Sequence, residues 1–244
     1  MTFDRAKLES DRLKSAKTLE QDNELQSLAI DLITKSDQHG HAYQWNWMGL
    51  PIIQSMEDIV AAQELIWKVK PDVIVETGIA WGGSMVFYAS MLELIGKGRV
   101  IGIDVALPQS NIDEIMKYKF SNRITLIHGS SVDQKIVDQV KAQIKPGEKV
   151  LLGLDSNHTH DHVLEELQLY SPLVTKDSYI IVSDTVVEDI PVQEHRPRAW
   201  GPGNNPRTAV NEFLKTTDRF VLDDYYNAKL LVTFDKGGYL RCTK

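Results

Sequence analysis

Residues 155–162, DSNHTHDH, set three histidines and two aspartates within eight positions. Imidazole and carboxylate hold divalent metals and move protons near neutral pH, so this density first suggests a metal centre. The spacing departs from the H-x-H-x-D-H of metallo-hydrolases, because Asp161 directly follows His160 and only His195 comes later, in a proline-rich loop. A zinc hydrolase is therefore not expected. His158 and His162 are four apart and would share a helical face if a helix reached back to 158; without a third ligand, such a pair reads as a solvated helix start.

Asp155 is of another kind. It ends the apolar run KVLLGLD, and Asp184 ends the next one, SYIIVSD. Two carboxylates at neighbouring strand ends, with water and a substrate oxygen, make the oxygen shell that magnesium prefers. The alternative is that Asp155 caps the following helix and Asp184 anchors a turn. His158, three residues past Asp155, is the candidate general base for a hydroxyl substrate.

The elements that must position these groups alternate along the chain. Apolar strands are expected at 72–77, 99–104, 123–129, 149–155 and 178–184. Helices are expected after 57, from the Gly-Gly-Ser at 82–84, near 132–144, at 160–171 and at 207–216. Strands apolar throughout and separated by helices mean a parallel sheet covered on both faces. The ending RFVLDDYYNAKLLVTFDKGGYLRC reads as strands joined by turns, with no helix between them. The predicted class is α/β, a doubly wound, mostly parallel seven-stranded sheet with a C-terminal antiparallel hairpin. Residues 1–40 form a helical arm and 41–244 the single α/β domain. The aromatic stretch 39–55 is expected as a loop or short strand that covers a pocket or packs the arm onto the core. The loop 188–207, carrying Arg196, Arg198, Trp200, Asn204 and Asn205, is either a lid or a plain connection.

Ligands of doubly wound sheets bind beyond the carboxyl ends of the strands. Those ends here are Glu76-Thr-Gly78, Asp104, Gly129-Ser-Ser131, Asp155 and Asp184. The turn ETGIAWGGS, with Gly78, Gly82, Gly83 and Ser84, lets a ligand approach backbone and a helix N-terminus. It is neither G-x-G-x-x-G nor a phosphate loop. Asp104, ending the second strand, is placed to accept both ribose hydroxyls. NAD and S-adenosylmethionine (SAM) both fit that logic, and Glu76 favours SAM, since a carboxylate repels a pyrophosphate and tolerates a sulfonium.

Composition limits the partners. A formal charge of −7, without a dense basic run, argues against nucleic acid. No apolar stretch is long enough for a membrane helix, and the polar N-terminus carries no signal-peptide core. One cysteine, Cys242, excludes an internal disulfide and a thiolate zinc cluster, and the expected setting is the reducing cytoplasm. The charged arm points to a homo-oligomer.

The run PIIQSMEDIVAAQELIWKVKPDVIVETGIAWGGS, the segment GLDSNHTHDHV and the stretch RPRAWGPGNNPRTAVNEFL together resemble the cephalosporin hydroxylase family, over roughly residues 40–240. The resemblance implies a class I SAM-dependent methyltransferase fold and O-methylation of a small natural-product or sugar hydroxyl. It further implies SAM along Glu76–Ser84, Asp104, Ser131 and Asp155, and magnesium at Asp155 and Asp184. One departure stands out: where the family has an acidic pair after the fifth strand, this chain has Ser183-Asp184. The rival readings are an iron-dependent oxygenase, as the family name suggests, and a non-catalytic SAM-fold partner subunit.

Overall fold

A computed structural model describes residues 3–244. Five strands run parallel: β1 Val73–Thr77, β2 Arg99–Asp104, β3 Ile124–His128, β4 Val150–Leu154 and β5 Tyr179–Val182. Two further strands, β6 Phe220–Leu222 and β7 Tyr239–Cys242, complete a seven-stranded sheet in the order β3-β2-β1-β4-β5-β7-β6. β7 is antiparallel to both β5 and β6. The doubly wound class and the closing antiparallel pair are as the sequence predicts. Their connection is not, because a helix of residues Asp224–Lys229 stands between β6 and β7.

Strand side chains alternate between the two faces, so a fully buried strand feeds two cores. Ile74, Val100 and Leu151 face a core built with Ile59, Leu65, Ile66, Phe87 and Leu92. Val73, Val75, Ile101 and Leu152 face the other, with Val137, Leu167, Val210 and Phe213. Each fully buried branched side chain contributes roughly 1.5–3 kcal/mol. That burial is what fixes the register of the strand ends.

The covering helices are α3 Met56–Val69 and α4 Gly83–Ile95 on the first face, with α6 Gln134–Ala142, α7 His160–Tyr170 and α8 Pro206–Thr216 on the second. α3 starts on Ser55, whose hydroxyl accepts the Asp58 N–H, and Pro71 follows its end. A short helix α5, Gln109–Ile115, was not predicted. The arm consists of α1 Arg5–Glu20 and α2 Asn23–Asp37, and α1 lies against α9, the Asp224–Lys229 helix.

Candidate active site

The strand order reverses at β1, which has β2 on one side and β4 on the other. A crevice opens beyond the carboxyl ends at such a switch point. The glycine turn after β1 and Asp155 after β4 meet there. The Asp155 N–H donates to Thr77 O at 2.8 Å, and a Cβ on Gly78 would lie 2.0 Å from the Asp155 carbonyl oxygen. Gly78 also has φ +88°, a conformation that side chains disfavour. A Cβ on Gly83, in the first turn of α4, would lie 2.2 Å from the Pro51 carbonyl oxygen, so the aromatic loop is pressed onto that helix end.

Around this point lies a cavity of about 330 Å³. Gly78–Trp81, Gly83 and Ser84 wall one side, and Asp155, His158 and Asp184 another. Ile33 and Asp37 of α2, Pro51–Gln54 of the aromatic loop, and Arg196, Arg198 and Trp200–Pro202 of the long loop complete it. In the aromatic stretch Asn46–Trp47 pairs antiparallel with Leu50–Pro51, Tyr43 lines the cavity, and Trp45 and Trp47 pack on the core.

Asp155, His158 and Asp184 converge. His158 Nε2 is 3.3 Å from Asp184 Oδ2 and 4.0 Å from Asp155 Oδ1, and one donor atom from each residue falls within 4.8 Å of the others. Asp184 adopts φ 56°, uncommon for a residue with a side chain and tolerated best by Asn and Asp. Burial, then the nearby Asp184 and Glu76, hold the Asp155 carboxyl well above the usual carboxylate range. Asp155 does not cap α7; Thr159 occupies that position. The donor set is one imidazole and two carboxylates, the reverse of the two-His, one-carboxylate triad of iron oxygenases.

The other two histidines face away from this cluster. His160 bridges α7 to α8, with Nδ1 2.8 Å from Thr208 Oγ1 and Nε2 3.3 Å from Glu212. His162 Nε2 lies 3.1 Å from Ser131 Oγ and 3.2 Å from Ser156 Oγ. The shared face suggested for His158 and His162 does not form, because α7 begins at His160 and the two rings point to different partners. Neither is a solvated helix start: their side chains are 12% and 19% exposed.

The expected cofactor residues divide into two layers. Gly78, Gly83, Ser84 and Asp155 form cavity wall. Glu76 lies one layer behind, 1% exposed, accepting the Ser84 hydroxyl at 2.6 Å, and burial pushes its carboxyl up to about 8. Asp104 pegs the glycine turn: Oδ2 accepts Ile79 N–H at 2.7 Å and Ala80 N–H at 3.0 Å, and Oδ1 accepts Ala106 N–H at 2.8 Å. In this arrangement one lone pair of Oδ1 remains for a ligand hydroxyl, rather than a pair for both. Gly82 caps α4 and packs on Ile115, and Ser131 is buried against His162.

Sequence reading passed over two cavity residues. Gln54 is 8% exposed, and its Oε1 is buried without a hydrogen-bond partner. A lone amide after the apolar Pro-Ile-Ile was the available signal. Asp37, in the arm, joins the long loop: it pairs with Arg196 Nη2 at 2.5 Å and His195 Nε2 at 2.8 Å. The Arg196 guanidinium also lies 5.5 Å from the Tyr43 ring centroid. The loop thus lines the cavity as well as leading into α8. Trp200 meets the His158 ring edge-on at 4.9 Å, and Asn205 caps α8.

Against this geometry, the chain matches the family described as rhamnosyl O-methyltransferase/CmcI over residues 39–243. The rhamnosyl O-methyltransferase of Mycobacterium leprae is 30% identical over 157 residues, covering 62% of this chain and 66% of that protein. That of Mycobacterium bovis (strain BCG / Pasteur 1173P2) is 28% identical over 187 residues, covering 75% and 70%. The chain thus spans about two thirds of the length of these curated relatives. Among solved structures, CmcI in an Mg–SAM form gives a TM-score of 0.57 at 20% identity, covering 83% of this chain and 78% of that one. The O-methyltransferase TomG of Streptomyces achromogenes, involved in tomaymycin synthesis and solved with SAM, gives 0.53 at 14% identity, covering 88% and 90%. At such identities the structural likeness is one of fold.

Proposed function

The chain belongs to the rhamnosyl O-methyltransferase/CmcI family of SAM-dependent O-methyltransferases, and on that premise we propose that it transfers the methyl group of SAM to a hydroxyl of a sugar or other small natural product. The observation that carries this reading is the meeting of the glycine turn and the carboxylate–imidazole cluster in one cavity. SAM, when bound, supplies an electrophilic methyl on a sulfonium.

The residues present fit that group. The turn gives close backbone approach, the first turn of α4 presents free N–H donors, and Gln54 holds an amide without a protein partner. Glu76 fixes Ser84 from behind, and Asp104 fixes the turn while keeping one lone pair for a ribose hydroxyl. One stretch of wall, Val186, Val187, Ile190, Trp200 and Phe234, is apolar and suits the flat face of a sugar ring or its aglycone.

Asp155 and Asp184 also fit a divalent cation, magnesium being the expectation from sequence, because burial and the nearby Asp184 hold the Asp155 carboxyl above its usual range and a positive charge between the two would offset that. Such an ion would lower the pKa of a hydroxyl beside it. As the acceptor oxygen takes the methyl group and SAM becomes S-adenosylhomocysteine, the hydroxyl proton would leave to water at this cluster. Most of the acceleration is assigned to holding oxygen and methyl carbon in line, an effect of roughly 7–11 kcal/mol at its limit. The lid and arm contribute by closing the cavity, Arg196 being clasped between Asp37 and Tyr43.

A homo-oligomer would use the arm, where Leu28 and Leu32 are 58% and 55% exposed on one face of α2. The buried free thiol of Cys242 suits the cytoplasm. Among the described residues no helix is long and apolar enough to cross a membrane.

The test is calorimetry with purified protein, followed by methyl transfer from labelled SAM to a panel of rhamnosides and other glycosides. SAM and S-adenosylhomocysteine should bind and NAD should not. Binding of NAD without SAM would overturn the proposal.

A further inference from the structure

We propose that His158 is a ligand of the divalent cation, with Asp155 and Asp184, and that this set selects manganese or a similar first-row ion over magnesium. The inference rests on the O-methyltransferase reading only for the position of the cavity, since ion binding can be measured without methyl transfer.

The first argument is geometric. His158 Nε2 faces both carboxylates, 3.3 Å from Asp184 Oδ2 and 4.0 Å from Asp155 Oδ1. An ion with ligand bonds of about 2.1 Å holds neighbouring donors ~3 Å apart and opposite donors ~4.2 Å apart. One donor atom from each of the three residues already lies within 4.8 Å of the others. Trp200 packs edge-on against the imidazole, and the side chain is only 12% exposed, so the ring is held in this direction.

The second argument is charge. Among the described residues, no lysine or arginine pairs with Asp155 or Asp184, and His158 is their one basic neighbour within ion-pair distance. Position 183, which precedes Asp184, carries a buried serine hydroxyl instead of a third carboxylate. A cation here would meet two carboxylates and one imidazole nitrogen. Magnesium demands hard oxygen donors and near-ideal octahedral geometry, whereas an imidazole donor favours the transition ions. Manganese, a first-row ion that accepts both donor types, serves as the probe for this preference.

The assignment excludes another role. A ring nitrogen that donates its lone pair to an ion cannot take a proton from the acceptor hydroxyl. His158 Nε2 is therefore not the general base in the ion-loaded protein, against the expectation from sequence.

The experiment uses the full chain, Mn²⁺ as probe, and pulsed electron paramagnetic resonance on frozen samples. One directly bound imidazole should give strong ¹⁴N modulation in the wild type. His158→Asp should bind Mn²⁺ with the modulation gone. In competition titrations Mn²⁺ should bind the wild type about tenfold or more tightly than Mg²⁺, a preference that shrinks in His158→Asp. Should that variant fail to fold, the wild-type modulation still decides the matter. Bound Mn²⁺ without ¹⁴N modulation, equal affinity for the two ions, or no ion binding would each overturn the proposal. S-adenosylhomocysteine titrated into the same samples separates the two readings. Its binding without ¹⁴N modulation removes the ligand assignment alone, and its failure to bind removes the methyltransferase reading.

Discussion

Gly78 and Glu76 show how single residues set the cavity wall. A methyl group at Gly78 would meet the Asp155 carbonyl 2.0 Å away, and backbone on both sides is pinned by the sheet. Neither strand can yield without losing ladder hydrogen bonds. Gly78→Ala is therefore expected to cost about 2–4 kcal/mol, from overpacking and a left-handed backbone together, and to abolish SAM binding. Denaturant unfolding and calorimetry on the same preparation check both effects.

Glu76 acts through its proton. Burial raises its carboxyl to about 8, from an ordinary value near 4.5, so the folded state holds a proton that the unfolded chain releases. Its contribution is complete below the unfolded value and is lost as pH rises through the folded one. The ligand-free wild type should thus lose more melting temperature between pH 6 and 9 than Glu76→Gln, which keeps an acceptor for the Ser84 hydroxyl. Equal slopes in thermal melts across that range would show that Glu76 is ionised throughout.

At the scale of elements, the long loop is organised from its downstream end. Asn205, fully buried, accepts N–H groups of Arg207 and Thr208 to start α8, and its amide donates to Glu188 and to Gly201 O. It joins the start of the lid to the helix that follows. Asn205→Ala removes a cap and one of two donors to Glu188 Oε2, the other being Gly203 N–H, so about 1–2 kcal/mol of stability should be lost and KM for the acceptor should rise. A melt and a KM measurement test the pair of effects.

The five parallel strands are legible in the sequence because each is apolar throughout and followed by a helical period or a turn. The helices α5 and α9 are not, for two reasons. They are seven and six residues long, too short to display a period. In α9 the side chains Tyr225 and Tyr226 also favour strands, and the helix is fixed locally by Asp223, whose carboxylate accepts both of their N–H groups. Asp155 and Asp184 are legible as strand ends. Their junction with His158, Gln54 and Asp37 is tertiary, assembled from segments that no local spacing relates.

Across the whole molecule, acidic groups gather near the carboxyl edge of the sheet. Asp58, Glu76, Asp155 and Asp235 are all held above the usual carboxylate range, burial being the first cause for each. Asp58 reaches about 6 even though Thr233, Phe234, Ser55 and Tyr239 all donate to it. At a carboxyl held above its usual range, any cation competes with protons. Asp155 must release its proton to hold an ion, so ion affinity rises with pH. Saturating divalent cation at ~100 times its dissociation constant stabilises by about 2.7 kcal/mol, and a fixed concentration reaches that excess more readily at high pH. The gain in melting temperature from a fixed concentration of Mn²⁺ should therefore be larger at pH 8 than at pH 6, and Asp155→Asn should remove most of the gain at both. Scanning fluorimetry with and without the ion tests this directly. A gain independent of pH would mean that the ion binds elsewhere, away from the carboxyl ends of β4 and β5.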